Sequence, residues 1–437
     1  MIKNTVEYTK DLGLCCSCGI CKGICPKSSI TYKRKDGLFL PEIAKNSCIE
    51  CGICKNICPG LVHEYQYEDP IKAMTGDSIC SYSAWSKDEK LRFVSASGGC
   101  VSTLITELLK KNKYDYATTV NSYNYKEQLV AELISCNDIS DYSQSTYPKS
   151  RYLSVSFEKV VRFLMNNKDK KIIIVGVSCA IRGIENEIKQ LKLDRENYLL
   201  IGLFCDKVFN YNIFEYYNTV SNNTEGKNIR DLHFKNKESG GWPGNMKWFF
   251  SDGTYMYVDS SERMKLKAYF MPERCLYCID KINVQADISV GDNFTEVASS
   301  KQGSNSVIIR TDRGMEAWND SSDALLFSEV DISLIADAQC LTGRRNNAYF
   351  AQIKGKKNEK ELKHLLNSAI SLCDDMIEYG SAYYAAMKRL NMGKDFDKNP
   401  EKYFRDINTD LNHHSSNKVV RTINRGYWWL RRKIRAL

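Results

Sequence analysis

The chain has 437 residues, 43% hydrophobic and 26% charged, with a net charge of +9 and 18 cysteines. That length builds roughly two or three domains with cores of their own, and the composition is that of a globular chain, which excludes fibrous and wholly disordered classes. The positive balance admits a nucleic acid, a membrane surface or an acidic partner, and the cysteines admit disulfides or metal.

Met1 to Leu14 carries no apolar core of signal-peptide length. No stretch reaches the ~18 consecutive apolar residues of a spanning helix. The expected compartment is therefore the cytosol, where thiols stay reduced and clustered cysteines read as metal ligands. Nine cysteines lie between Cys15 and Cys58, several only two residues apart, too close to pair readily with one another as disulfides.

The first run is Cys15-Cys16-Ser17-Cys18-Gly19-Ile20-Cys21-Lys22-Gly23-Ile24-Cys25-Pro26, and the second is Cys48-Ile49-Glu50-Cys51-Gly52-Ile53-Cys54-Lys55-Asn56-Ile57-Cys58-Pro59. Both read C-x2-C-x2-C-x3-C-P, the spacing that wraps three corners of an iron–sulfur cube and sends the fourth cysteine to the other cube. One 4Fe–4S cluster is expected on Cys15, Cys18, Cys21 and Cys58, and a second on Cys48, Cys51, Cys54 and Cys25. Zinc knuckles are the alternative, but zinc sites usually separate two ligand pairs by a longer loop, often with histidine. No histidine lies inside either run. Cys16 falls outside the spacing and reads as a bystander.

Residues 62–90 read as a linker. Arg92-Phe93-Val94-Ser95-Ala96-Ser97-Gly98-Gly99 then leads into an apolar helical pattern at Val101, Leu104, Ile105, Leu108 and Leu109, with Thr103 in its first turn. A Ser-Gly-Gly turn at a helix start offers N–H groups and hydroxyls to a phosphate or flavin. An ordinary capped helix explains the same residues. There is no G-x-G-x-x-G and no Walker A lysine, so neither a Rossmann dinucleotide site nor a P-loop is expected.

Lys171-Ile172-Ile173-Ile174-Val175-Gly176 predicts a buried strand, followed by a helix from about Ala180 to Leu191 and a second buried strand over Tyr198–Phe204. This is a βαβ unit with parallel strands, whose carboxyl ends share one sheet edge, the edge where open α/β sheets hold ligands. Cys179 and Cys205 fall at those ends. Arg274-Cys275-Leu276-Tyr277-Cys278 adds a C-x-x-C, and Ala286-Asp287-Ile288-Ser289-Val290-Gly291-Asp292 predicts another strand. Cys179, Cys205, Cys275 and Cys278 would make a third four-thiolate site, against the alternative of unrelated buried cysteines.

In this order the pieces resemble the family of coenzyme F-420 hydrogenase/dehydrogenase beta subunits over residues 10–335. Matching pieces are the double cysteine motif, the Ser95–Gly99 turn, Lys149-Ser150-Arg151-Tyr152, Gly176-Val177-Ser178-Cys179, Ile201–Cys205, Lys237 with Gly241-Trp242, Cys275–Cys278, Ala286–Asp292 and Gly303-Ser304-Asn305. The resemblance implies a flavoprotein, usually with FAD, fed by iron–sulfur clusters. It implies flavin contacts at Ser95, Ser97, Gly98, Gly99, Thr103, Lys149, Ser150 and Tyr152, and a third 4Fe–4S cluster on the scattered cysteines. Lys237 and Asp292 are the expected catalytic residues near the reacting ring, with a solvated lysine and a strand-end cap as the alternative. The family's Gly-Thr-Pro-Cys-Gln is Gly176-Val177-Ser178-Cys179-Ala180 here, which keeps the cysteine and loses the proline and glutamine.

Lys360–Leu390 reads mainly helical, and residues 418–437 hold seven basic residues with no acid, leaving the rest of the chain at +2. With Trp428 and Trp429, this tail resembles an interfacial anchor for the inner membrane surface, while a docked helix with a solvated basic face is the alternative. A nucleic-acid partner is not expected, because no binding motif accompanies the charges.

The expected fold class is α+β. A bacterial-type two-cluster 4Fe–4S ferredoxin domain spans 1–65. An α/β flavin-binding catalytic domain follows in two parts, 80–165 and 166–335, and a mostly helical extension covers 336–437. The expected function is a cytoplasmic, ferredoxin-linked oxidoreductase that passes electrons between clusters and flavin for two-electron chemistry on a deazaflavin or other small organic substrate. Many bacterial members of the family accompany polysaccharide synthesis. Two alternatives are a non-catalytic electron-transfer subunit that docks on a partner reductase and a structural zinc protein.

Overall fold

The computed structural model describes residues 4–61, 70–120, 127–139, 150–297, 300–355 and 376–416. Lys149 and the basic tail lie outside them. A hairpin, β1 (Ile30–Lys35) and β2 (Leu38–Ile43), sits between the two cysteine runs. Then come β3 (Cys80–Ser86), β4 (Tyr116–Thr119), β5 (Leu129–Val130), β6 (Glu132–Ser135), β7 (Val155–Ser156), β8 (Ile172–Val177) and β9 (Tyr198–Leu203). After these are β10 (Ile229–Asn236), β11 (Asn245–Phe250), β12 (Tyr255–Val258), β13 (Ile288–Asp292), β14 (Asn305–Ile309) and β15 (Leu325–Glu329).

Eight of these form one mixed sheet in the order β15-β3-β14-β13-β9-β8-β4-β6. Its strands come from both 80–165 and 166–335. The βαβ unit is present: β8 and β9 pair in parallel from Ile172↔Tyr198 to Val177↔Leu203. The intervening helix spans Ser178–Leu191, so Cys179 lies in its first turn. Strand β13 extends the parallel set, with Val290 opposite Leu203. The carboxyl ends of β8, β9 and β13 therefore share one edge. Strand β3 runs the same way, because it is antiparallel to β14 and β14 is antiparallel to β13.

Strands β8 and β9 are apolar at nearly every position because both of their faces are covered. Ile172, Ile174, Tyr198 and Leu200 pack with the helices Glu158–Asn166 and Ser178–Leu191, while Ile173, Leu199 and Ile201 face Leu104, Leu108 and Trp318. The first of these cores also takes in Cys18, Ile20, Ile24 and Ile57, so the N-terminal cysteine module packs on the sheet's own helices. A second sheet, β10-β11-β12, packs with Tyr216 and Tyr217 of the helix Asn212–Glu225 and receives Phe396 and Ile407 from the C-terminal region.

The linker expectation for residues 62–90 is corrected in part. Cys80–Ser86 is a strand inside the sheet, between β14 and β15, and Glu89–Val94 is a helix capped by Asp88. Serines at alternate positions disguised it, because Ser81 and Ser83 are buried and hydrogen-bonded, the first donating to Val330 O at 2.5 Å and the second accepting from Asn293 at 2.8 Å. The described C-terminal region is helical over Leu341–Gly355, Met376–Lys394 and Pro400–Ser416. Among the described residues no helix is long and apolar enough to cross a membrane.

Candidate redox centre

Each cysteine run folds around a short helix, Ile20–Ile24 or Ile53–Asn56. The residue before each is a glycine in the left-handed region, Gly19 at φ 72° and Gly52 at φ 77°. A side chain there would be strained, which explains the repeated Cys-Gly-Ile-Cys. Cys25, Cys48, Cys51 and Cys54 line one cavity, together with Thr5, Ile30 and Ile43. This is the crossed set expected from the spacing. Cys15, Cys18, Cys21 and Cys58 form the other: all four are buried, and Cys58 is an electrostatic neighbour of the other three. Burial pushes the Cys58 thiol up to about 11. Tyr32 of β1 lies at this set, 3.2 Å from the Cys21 sulfur and 3.1 Å from the Gly19 N–H that it accepts. The second set is more open, and Cys51 is exposed.

The four scattered cysteines also converge. Cys179 begins the helix after β8, Cys205 follows β9, and Cys275 and Cys278 sit on and beside the turn Glu273–Leu276. Cys205 is a neighbour of Cys275 and Cys278, and Cys179 of Cys205 and Cys278. Burial pushes the Cys275 thiol up to about 11. Two arginines stand beside them. Arg274 is buried, and Arg344 reaches in from the helix Leu341–Gly355 and pairs with Asp206 at 2.9 Å. A cation beside several thiolates offsets their mutual repulsion.

Cys16 is a fifth sulfur here, which the sequence reading missed. Its thiol donates to Leu14 O at 3.8 Å, and Cys179, Cys278 and Arg274 are its electrostatic neighbours. The doublet Cys15-Cys16 was the available signal, since adjacent side chains diverge and can serve two sites. Among the described residues, no three His, Cys, Asp or Glu side chains converge as a single metal ion would require. Zinc draws its sulfurs to within about 2.3 Å of one point.

The Ser-Gly-Gly turn lies at the carboxyl end of β3. Gly99, at φ 84°, caps the helix Cys100–Lys110 without a side-chain bond. A Cβ on Gly98 would meet Ala84 O and Asn305 Oδ1 at 2.7 Å, so only glycine fits. Ser97 Oγ donates to Ser304 O at 2.6 Å, and Thr103 Oγ1 is held by Ser86 Oγ at 2.9 Å and Gly99 O at 3.1 Å. Ser95 Oγ is buried without a hydrogen-bond partner. Among the expected flavin residues it is the one whose buried hydroxyl is left for a ligand.

Lys237 is anchored to the Ser-Gly-Gly turn. Its three N–H donors go to the carbonyls of Arg92 at 2.5 Å, Ser97 at 2.8 Å and Gln302 at 2.7 Å, which ties the turn to the 300–304 loop. Burial pulls its pKa down to about 8. Asp292 pairs instead with Lys235, a residue the sequence reading did not select. Tyr152, in the left-handed region at φ 53°, is a neighbour of Lys235 and lies under the Arg263 guanidinium at 4.8 Å. Ser150 is half-buried in the segment before it. Ser97, Tyr152, Lys237 and Asp292 are thus gathered around one edge, which Lys235 completes.

The mixed sheet thus gathers thiols at its carboxyl edge beside a glycine turn, an arrangement suited to a bound redox group. Two family models of the coenzyme F-420 hydrogenase/dehydrogenase beta subunit match the chain, the model of its N-terminal part over residues 81–155 and the model of its C terminus over residues 169–333. The chain belongs to this family of beta subunits. It is 26% identical over 333 residues to the F subunit of the F(420)H(2) dehydrogenase of Methanosarcina mazei, covering 72% of this chain and 84% of that protein. A chain of the F-420-reducing NiFe hydrogenase complex from Methanosarcina barkeri, solved as a xenon derivative, is 19% identical, with a TM-score of 0.45 over 64% of this chain and 91% of that one.

Proposed function

We propose that the chain is an iron–sulfur flavoprotein that exchanges electrons with a partner protein and performs two-electron chemistry on a deazaflavin or other small organic substrate. The observation that carries this reading is the shared edge. The thiols of Cys179 and Cys205 follow β8 and β9, and the Ser97, Lys235 and Asp292 group lies at the ends of β3 and β13. Clusters would supply single electrons and a flavin would store two.

The residues present fit such groups. Cys15, Cys18, Cys21 and Cys58 would hold one 4Fe–4S cluster, Cys25, Cys48, Cys51 and Cys54 a second, and Cys179, Cys205, Cys275 and Cys278 a third. The cavity lined by Cys25, Cys48, Cys51 and Cys54 suits a cube better than a single zinc. The unpartnered Ser95 hydroxyl, the Gly98 close approach and the Lys235–Asp292 pair support FAD along the edge. Lys237 holds the turn in shape, and Asp292 and Lys235 fix charge beside it. The exposed Cys51 places the second set at the surface, where a ferredoxin-like partner would meet it.

Anaerobically purified protein tests the reading. About twelve irons per chain, from four per cube, with bound flavin, are expected. Protein that holds zinc overturns the cluster assignment. Iron-loaded protein that carries no flavin and binds none added leaves only the electron-transfer subunit.

A further inference from the structure

Tyr32 lies outside both cysteine runs, yet its hydroxyl reaches a thiol of the first set. On β1 the side chains of Ile30, Tyr32 and Arg34 share one face, because strand positions alternate. Ile30 is buried with Val6, Cys21 and Cys58, and Tyr32 packs against the same group. The Tyr32 oxygen is 3.2 Å from the Cys21 sulfur and accepts the Gly19 N–H at 3.1 Å. With that bond made, its O–H is left for the sulfur. Arg34, one step further along the face, donates to Asn212 Oδ1 at 3.1 Å and pairs with Glu215 at 3.5 Å. At the hairpin tip the Gly37 N–H donates to Asp397 Oδ2 at 3.0 Å, and the Gly37 carbonyl accepts from Tyr211 N at 2.7 Å. Tyr32 thus sits on a strand held at both ends. The second run has a different neighbour at the matching glycine. A Cβ on Gly52 would meet Asn4 at 3.0 Å, and the Asn4 amide donates to Glu50 O at 3.0 Å.

We propose that Tyr32 is a positioning residue of the first set: its O–H donates to the Cys21 sulfur and favours the reduced form of the group that Cys15, Cys18, Cys21 and Cys58 hold. The inference rests on the cluster reading of that set. A ligating cysteine is a thiolate with no proton to give, so the hydroxyl is the donor. The four sulfurs are buried or nearly so, and a site removed from water disfavours the charge of an added electron. A donor hydrogen bond to a ligand sulfur withdraws charge from it and opposes that penalty. The second set, open at Cys51, has solvent to do the same. The step is a one-electron reduction in which no bond to sulfur breaks and the O–H proton stays on the tyrosine. Through Arg34 the same strand ties the first set to the helix Asn212–Glu225 beside the second sheet.

Tyr32→Phe, which keeps the ring and removes the O–H, is made in the full chain and purified anaerobically. Iron content and redox titrations followed by electron paramagnetic resonance are compared with the unaltered protein, in water and in deuterium oxide. The first set's signal is the one less broadened by a paramagnetic ion added to the solvent, because the second set is open at Cys51. The expected result is unchanged iron and a first-set potential moved to more negative values, the reduced-to-oxidised ratio at a fixed potential falling roughly tenfold for one lost hydrogen bond. The same signal loses the coupling of one exchangeable proton, and the other potentials stay in place. An unshifted first-set signal overturns the role, and so does a shift confined to the solvent-broadened signal. Loss of about four irons overturns it too, because Tyr32 would then hold the set together and not tune it. Unaltered protein without iron–sulfur signals overturns the cluster reading, and the inference falls with it.

Discussion

Lys235 places its ammonium on the Asp292 carboxylate at the carboxyl end of β13. The Lys235 side chain is only 4% exposed. The pair joins the second sheet to the edge of the first and puts one fixed charge of each sign beside the Ser-Gly-Gly turn. Gln339, from beyond the family-matched segments, donates to the Asp292 carbonyl at 2.9 Å and holds the same strand end.

Asp292→Asn leaves the Lys235 charge buried without its counter-ion and should destabilise the protein by roughly 3–5 kcal/mol at neutral pH. Burial alone would raise the Asp292 pKa, but the Lys235 charge outweighs it and holds it low. The stabilisation is therefore present above the unfolded carboxyl value of about 4 and is lost as pH falls through the lower folded value. Urea unfolding followed by tryptophan fluorescence should show a gap between the two proteins that is wide at pH 7 and narrows below about pH 4. A gap independent of pH would reject the pairing.

Lys237→Met removes the donors to the Arg92, Ser97 and Gln302 carbonyls. A loss of roughly 3 kcal/mol is expected, from buried carbonyls left without partners. The check is the unfolding midpoint, with flavin retention measured alongside it. A variant with normal stability that had lost only turnover would return Lys237 to the chemistry.

Glu187 is fully buried on the helix between β8 and β9, and both carboxylate oxygens lack hydrogen-bond partners. Burial pushes its pKa well above the usual carboxylate range. Its contribution is best below the unfolded value of about 4.3 and is lost as pH rises toward the folded one. Glu187→Leu should stabilise the protein at pH 8 by roughly 1–3 kcal/mol. The advantage should shrink toward pH 4. Equal stability at pH 8 would mean that the carboxyl has a partner after all.

Replacing Cys275 and Cys278 by serine should lower the iron content by about four per chain and leave the two N-terminal clusters intact. Iron analysis with paramagnetic resonance checks it. Unchanged iron would dissociate the C-x-x-C from any cluster.

The sequence by itself determined what is periodic or covalently local. The doubled cysteine motif set the two groups of three closely spaced sulfurs, since spacing of two residues dictates which sulfurs one short helical turn can present together. The unbroken apolar runs of β8 and β9 identified a buried parallel pair, and with it the edge that carries Cys179 and Cys205. What only the tertiary structure decided were the contacts made across long separations. Cys16 has no place in its own motif and lies near Cys179, on another element. Lys237 and Lys235 are two residues apart and indistinguishable by composition. The fold sends the first to three backbone carbonyls and the second to Asp292. Cys80–Ser86 read as linker because a serine's place in a core depends on partners such as the acceptor at Val330 and the donor at Asn293, more than two hundred residues away in the chain. Periodicity and spacing register which face of an element is apolar. Hydrogen-bond partners and charge pairs depend on which elements the fold brings side by side, and that is settled by packing.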